Sequence, residues 1–121
     1  MKKFINKYEN LIEEMVEGYV LANSKKVKRL PTERVLAYVD APIQGKVGVI
    51  TGGGSGHKPA FIGYIGKGLL DAVAVGDIFA APPVQRCYEA IKAADGGEGV
   101  LVCIGNYSGD TMNFGMAAEL A

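Results

Sequence analysis

The sequence predicts an α/β fold: a parallel or mostly parallel sheet with flanking helices. Three short apolar runs each lead into a glycine-containing loop, and a helical or helix-like pattern follows each loop. Strands covered on both faces read as continuous apolar runs, and strand, loop, helix repeated three times implies parallel pairing through crossovers. The chain has 121 residues, which allows one domain over 1–121 and no second.

The elements follow in order. Phe4, Tyr8, Leu11, Ile12, Met15, Val16, Tyr19 and Val20 recur at intervals of three and four and line one face of an amphipathic helix, with Asn6 and Glu9 spaced as a capping box. A basic turn, Ser24 to Arg29, and Pro31 precede a short strand from Arg34 to Val39, closed by Asp40-Ala41-Pro42. Val47 to Thr51 is the clearest buried strand, and it enters GGGSGHKP. Pro59 to Leu70 is helix-like but broken by three glycines. Ala72 to Val75 is the next strand and Gly76 to Ala81 its loop. Pro82-Pro83 then opens a helix whose inner face is Val84, Cys87, Tyr88 and Ile91, stopped by Asp95-Gly96-Gly97. Val100 to Ile104 is a third strand, Gly105 to Asp110 a loop, and Thr111 to Leu120 a helix with no stop signal before Ala121, as expected of a partial chain.

Composition narrows the function. Thirteen Lys plus Arg balance thirteen Asp plus Glu, so no positive excess is available for a nucleic-acid backbone or an anionic membrane. No apolar stretch approaches the roughly 20 residues that span a bilayer, and MKKFINKYEN does not develop into a signal segment, which makes the cytoplasm the expected compartment. Cys87 and Cys103 are too few for a disulfide framework and lack metal-site spacing; both are expected to be buried.

In a parallel sheet the loops GGGSGH, GDIFAAPP and GNYSGD leave the carboxyl ends of strands, where open α/β folds bind ligands. Together they offer backbone N–H groups, the hydroxyls of Ser55, Tyr107 and Ser108, the imidazole of His57, and the carboxylates of Asp77 and Asp110. That set suits a small polyhydroxylated or phosphorylated ligand. His57, the single histidine, serves either structure or the site. Asp110 is either a helix cap or a site carboxylate, and Asp77 reads as a turn or cap residue.

Known loop motifs do not fit. G-x-G-x-x-G fails because His57 stands at the last glycine position, and neither Gly45-Lys46 nor Gly66-Lys67 has the context of a Walker A loop, so nucleotide binding within this chain is unsupported. The nucleophile elbow G-x-S-x-G is missed by one residue, and the sole histidine lies on the same turn as Ser55, which argues against acyl transfer.

Several ordered stretches do match a family. Ile50-Thr51-Gly52-Gly53-Gly54-Ser55-Gly56-His57, Gly63-Tyr64-Ile65-Gly66, Asp95-Gly96-Gly97-Glu98-Gly99-Val100-Leu101, and Asn106-Tyr107-Ser108-Gly109-Asp110 with Asn113-Phe114 closely resemble the substrate-binding K domain or subunit of dihydroxyacetone kinases. The resemblance runs over essentially the whole chain and over the first third or so of the K polypeptide. It implies that Gly54, Ser55, Gly56 and His57 contact a triose. It further implies that His57 exchanges a hydrogen bond or proton with substrate oxygens, and that Asp110 binds the hydroxyl to be phosphorylated and acts as general base. In the family the ketone is tethered to a second histidine, which would fall beyond residue 121.

The resemblance also implies that ATP or ADP with Mg sits on a separate L subunit or domain, or that a phosphotransferase-system phosphocarrier feeds the reaction. No cofactor or metal is expected on this chain, the fragment alone should be inactive, and the full-length K protein should form a homodimer. Two positions depart from the pattern: Lys58 stands where many members have glutamate, and Gly105 where many have lysine. A related ketose such as erythrulose, or a non-catalytic ketose sensor or co-regulator, are the alternatives this leaves.

Overall fold

The computed structural model describes residues 2–121. Its sheet has five strands: β1 (Val27–Arg29), β2 (Val35–Tyr38), β3 (Gly48–Ser55), β4 (Ala72–Ile78) and β5 (Val100–Val102). Their order is β1-β2-β4-β3-β5. Three helices accompany them: α1 (Leu11–Ala22), α2 (Val84–Ala94) and α3 (Ser108–Leu120).

Period-two alternation divides the core between the sheet's faces. Val35, Ala37, Ala72 and Ala74 turn to one face, where they meet Cys87, Ala90, Ile91 and Ala94 of α2 and Phe114 and Ala117 of α3. The intervening Leu36, Val73 and Val75 turn to the other, against Ile12 and Val16 of α1, Val27, Ile62 and Ile65. The alanines on the first face leave the room in which α2 and α3 pack.

The parallel expectation holds for half the sheet. β3 pairs in parallel with β4 and with β5, whereas β1 with β2 and β2 with β4 are antiparallel, so the sheet is mixed. The basic turn, Ser24 to Arg29, contains β1, an edge strand of three residues whose single buried side chain, Val27, is too little pattern to read. What aligns the carboxyl edge is unaffected: β4, β3 and β5 are parallel neighbours, and the loops after them emerge side by side.

Other boundaries move for local reasons. Helix α1 begins at Leu11 after a turn of 3₁₀ helix at Tyr8–Asn10, leaving Phe4 fully exposed; Asn6 donates to Glu14 Oε2 at 3.0 Å and forms no capping box. Pro59 to Leu70 is not a helix. Its one turn of 3₁₀, Ile62–Tyr64, serves to plug Ile62 and Ile65 into the core, and Tyr19 donates to the Ile62 carbonyl at 3.0 Å. Asp77, expected as a turn or cap residue, accepts an ion pair from Arg34 at 2.6 Å; Arg34 also reaches Glu13 at 2.8 Å, and Arg29 reaches Glu13 at 2.6 Å. The Arg29 guanidinium, with Arg34, holds the Glu13 carboxyl below its ordinary range. Cys87 is buried as expected, but Cys103 is exposed, because it follows an edge strand whose outer side, with Leu101, is uncovered among the described residues.

Strands β3 and β4 both outrun their apolar cores, to Ser55 and Ile78. The glycines of the expected loop are therefore mostly strand. A Cβ on Gly52 would lie 2.6 Å from Phe114 Cζ and 2.7 Å from the Ala74 carbonyl oxygen, so the contact of α3 with the sheet requires glycine there. Gly18, in the middle of α1, has nothing within 4 Å. Urea unfolding should show Gly52→Ala destabilised by ~1–3 kcal/mol through overpacking, and Gly18→Ala stabilised by ~0.5–1 kcal/mol through backbone entropy.

Candidate functional site

The three parallel strands end at a cavity of about 740 Å³ lined by Gly54 at the end of β3 and His57 just after it, Phe79 after β4, and Gly105, Tyr107 and Asp110 after β5. Each strand contributes through its own loop, so the register of the sheet sets the geometry of the cavity wall.

Asp110 lies in the first turn of α3, which begins three residues earlier than periodicity suggests because Ser108 and Gly109 are already helical. Tyr107 occupies the cap position and no side-chain capping bond forms, so Asp110 is not the helix cap. Asp110 is 9% exposed, and its Oδ1 is buried without a hydrogen-bond partner among the described residues. A buried unpaired carboxylate oxygen is costly, and such groups in native folds call for a reason. Burial raises its pKa above the ordinary aspartate value, with the charge of His57 pulling the other way. The free N–H groups at the start of α3 also favour a negative charge here.

His57 is exposed at the cavity wall, with its ring edge-on to two aromatics: Phe79, centroid 4.9 Å away, and Phe61 at 6.1 Å. Sequence reasoning passed over both phenylalanines, since an aromatic residue in a loop is not by itself a site signal. Ser55 is placed differently from His57. Its hydroxyl is buried and donates to the Gly76 carbonyl at 2.8 Å, tying β3 to β4. Ser55 and Gly56 border a small void behind the strand, whose roughly 20 Å³ holds about one water.

No lysine or arginine is among the cavity's lining residues, so its charge resides in the Asp110 carboxylate and, when protonated, in His57. A Cβ on Gly105 would lie 3.9 Å from Asp110 Oδ2, in otherwise open space. The absent side chain leaves that oxygen reachable from the cavity. The buried thiol of Cys87 is pushed up to about 12, chiefly by burial and then by Asp110, and its Sγ lies 3.6 Å from the Pro82 carbonyl oxygen, so it is no nucleophile at neutral pH. Among the described residues no three His, Cys, Asp or Glu side chains cluster to hold a metal ion, and no helix is long and apolar enough to cross a membrane. The cavity thus pairs an exposed imidazole with a recessed carboxylate. Such a pair can hydrogen-bond a small polyol and accept a proton from one of its hydroxyls.

Comparison with known proteins gives a consistent result. Residues 17–121 match the Dak1 domain. The PTS-dependent dihydroxyacetone kinase 1, dihydroxyacetone-binding subunit DhaK, of Listeria innocua is 50% identical over 121 residues, covering 100% of this chain and 36% of that protein. The crystal structure of the dihydroxyacetone kinase from C. freundii in complex with AMP-PNP and Mg2+ superposes with a TM-score of 0.92 at 40% identity, over 99% of this chain and 23% of that one. The dihydroxyacetone kinase operon co-activator Dha-DhaQ matches with a TM-score of 0.83 at 36% identity, over 90% of this chain and 33% of that one. The chain therefore spans about a third of the length of the DhaK subunit it resembles.

The raised pKa of Asp110 has a signed consequence. The folded state holds the Asp110 proton more tightly than the unfolded chain, so this group favours folding below the ordinary value of 3.8, and that contribution is lost as pH rises through the raised folded value. Above that raised value the ionised, buried carboxylate opposes folding. Thermal melts should show Asp110→Asn more stable than the parent at about pH 7, with the gap shrinking below about pH 4. A gap independent of pH contradicts this account.

Proposed function

This chain belongs to the Dak1 domain family, and from that membership we propose that it is the ketose-binding part of a dihydroxyacetone kinase. Its cavity holds a short ketose while a phosphoryl group is delivered to one hydroxyl. The observation that carries this reading is the recessed Asp110 carboxylate, its Oδ1 unpartnered, on the same cavity wall system as His57. A base confined to one face of a small cavity can take the alcohol proton as the oxygen attacks phosphorus, and positioning with charge stabilisation does most of the work in phosphoryl transfer.

In this reading His57 hydrogen-bonds the substrate oxygens, and the backbone at Gly54, Ser55 and Gly56 shapes the floor. The buried Ser55 hydroxyl remains with Gly76, so Ser55 would contribute through its main chain. The nucleotide and its Mg would sit on a separate L subunit or domain, the phosphoryl group being supplied either directly or through a phosphotransferase-system phosphocarrier. The full-length K protein would be a cytoplasmic homodimer. A second reading, a ketose-binding co-regulator without chemistry, is favoured by the likeness to the operon co-activator and by Gly105, which leaves the cavity without a cation beside Asp110.

Both readings are tested in the full-length protein. His57→Ala should weaken binding of dihydroxyacetone or erythrulose by about 5- to 150-fold in calorimetric titration, since it strips a substrate oxygen of its partner at ~1–3 kcal/mol. Asp110→Asn should keep binding within a few-fold and abolish most turnover in a phosphorylation assay with the nucleotide-carrying partner. Binding without turnover in the parent itself selects the co-regulator.

A further inference from the structure

Phe79 breaks a steric rule. Its φ is +50°, in the left-handed region, and it is the one non-glycine residue among those described with positive φ. For a bulky side chain that conformation is a genuine outlier, and such outliers concentrate at functional sites, where surrounding structure enforces them. Burial does not explain it, because Phe79 is 69% exposed.

The neighbouring chain is shaped around this residue. The Phe79 N–H donates to the Ser55 carbonyl at 2.9 Å. A Cβ on Gly54 would lie 2.9 Å from the Phe79 backbone and 2.6 Å from the Ala80 nitrogen, and a Cβ on Gly56 would lie 2.8 Å from the Phe79 ring. Two side chains are thus omitted from the β3 terminus, which lets the segment Phe79-Ala80 lie directly on it. The enforced backbone turns the ring onto His57, centroids 4.9 Å apart and planes at 67°. Phe61 meets the same imidazole edge-on at 6.1 Å. A ring held by aromatic edges is oriented without spending either ring nitrogen on a protein partner, so both stay available to a ligand.

We propose that Phe79 is a positioning residue: its left-handed backbone is held so that its ring fixes the His57 imidazole at the cavity wall with its nitrogens directed to the ligand. This inference rests on the ketose-binding reading for its ligand, but the contact between Phe79 and His57 stands apart from it.

The test uses the full-length protein with Phe79→Tyr, Phe79→Leu and Phe79→Gly. Phe79→Tyr keeps the ring and should bind dihydroxyacetone within about 2-fold of the parent, while Phe79→Leu and Phe79→Gly should bind about 5- to 10-fold more weakly. Phe79→Gly should melt no lower than the parent, because glycine adopts this φ without strain. In a His57→Ala background, Phe79→Leu should cost no further affinity. The His57 imidazole proton signals, assigned by their loss in His57→Ala, should carry a ring-current shift that Phe79→Tyr keeps and Phe79→Leu removes. Unchanged binding in Phe79→Leu, an equal loss in both backgrounds, a melting temperature that falls with affinity in Phe79→Gly, or unchanged imidazole signals overturns the proposal. A parent that binds no ketose overturns the ketose reading instead, and the imidazole signals still decide the positioning role.

Discussion

The carboxyl edge of the sheet depends on strand β3 carrying no side chains from Gly52 to Gly54. Phe114 presses on it from the α3 side, Phe61 from the opposite face, and the backbone of Phe79-Ala80 lies across its end. Each contact occupies the volume a Cβ would fill, so the strand is thin where three other segments converge. Glycine in a strand interior ordinarily weakens it, through backbone entropy and lost packing. Here the loss is offset by what the thin strand admits: α3 close enough to place Asp110 beside the strand end, and the β4 loop close enough to place Phe79 on His57.

Charge at the site follows from the same convergence. Asp110 is recessed because α3 docks tightly through Phe114 and Ala117, and because Gly109 packs against Ala81 with no room to spare. Its pKa rises from burial, with His57 opposing. Once ionised, a carboxylate held in that balance is a better proton acceptor than a fully solvated one, since its basicity is higher. Where the resembled family carries lysine, Gly105 adds no cation to that balance.

Away from the site, stability is divided between two conventional cores. The α2 and α3 face is packed with alanine and the branched residues of β2 and β3, and the α1 face closes over Leu36, Val73 and Val75. The Arg34 guanidinium, itself largely buried, joins α1 to the end of β4 through Glu13 and Asp77. That clamp sits at the same end of β4 from which Phe79 departs, so it steadies the strand that delivers the aromatic ring.

The amino-acid sequence by itself determined the α/β class, the core of strands β3, β4 and β5, the helices α1 and α2, and the three loops that meet. These follow from short-range patterns: apolar runs, three-to-four periodicity, and glycine and proline punctuation. It also marked His57, directly after the glycine run at the end of β3, and Asp110, at the close of the Gly105–Asp110 stretch after β5, as candidates. The antiparallel half of the sheet, the exposure of Cys103, the ion pair of Asp77 and the 3₁₀ plug at Ile62 were decided by tertiary structure. Each depends on what packs against a residue from far along the chain. The site divides along the same line. That Ser55 turns its hydroxyl to Gly76, that Asp110 Oδ1 is buried without a partner, and that Phe79 is driven into left-handed backbone against His57 come from contacts between segments about 20 to 50 residues apart. No local pattern encodes such contacts, and a steric rule read locally would have placed glycine, not phenylalanine, at position 79.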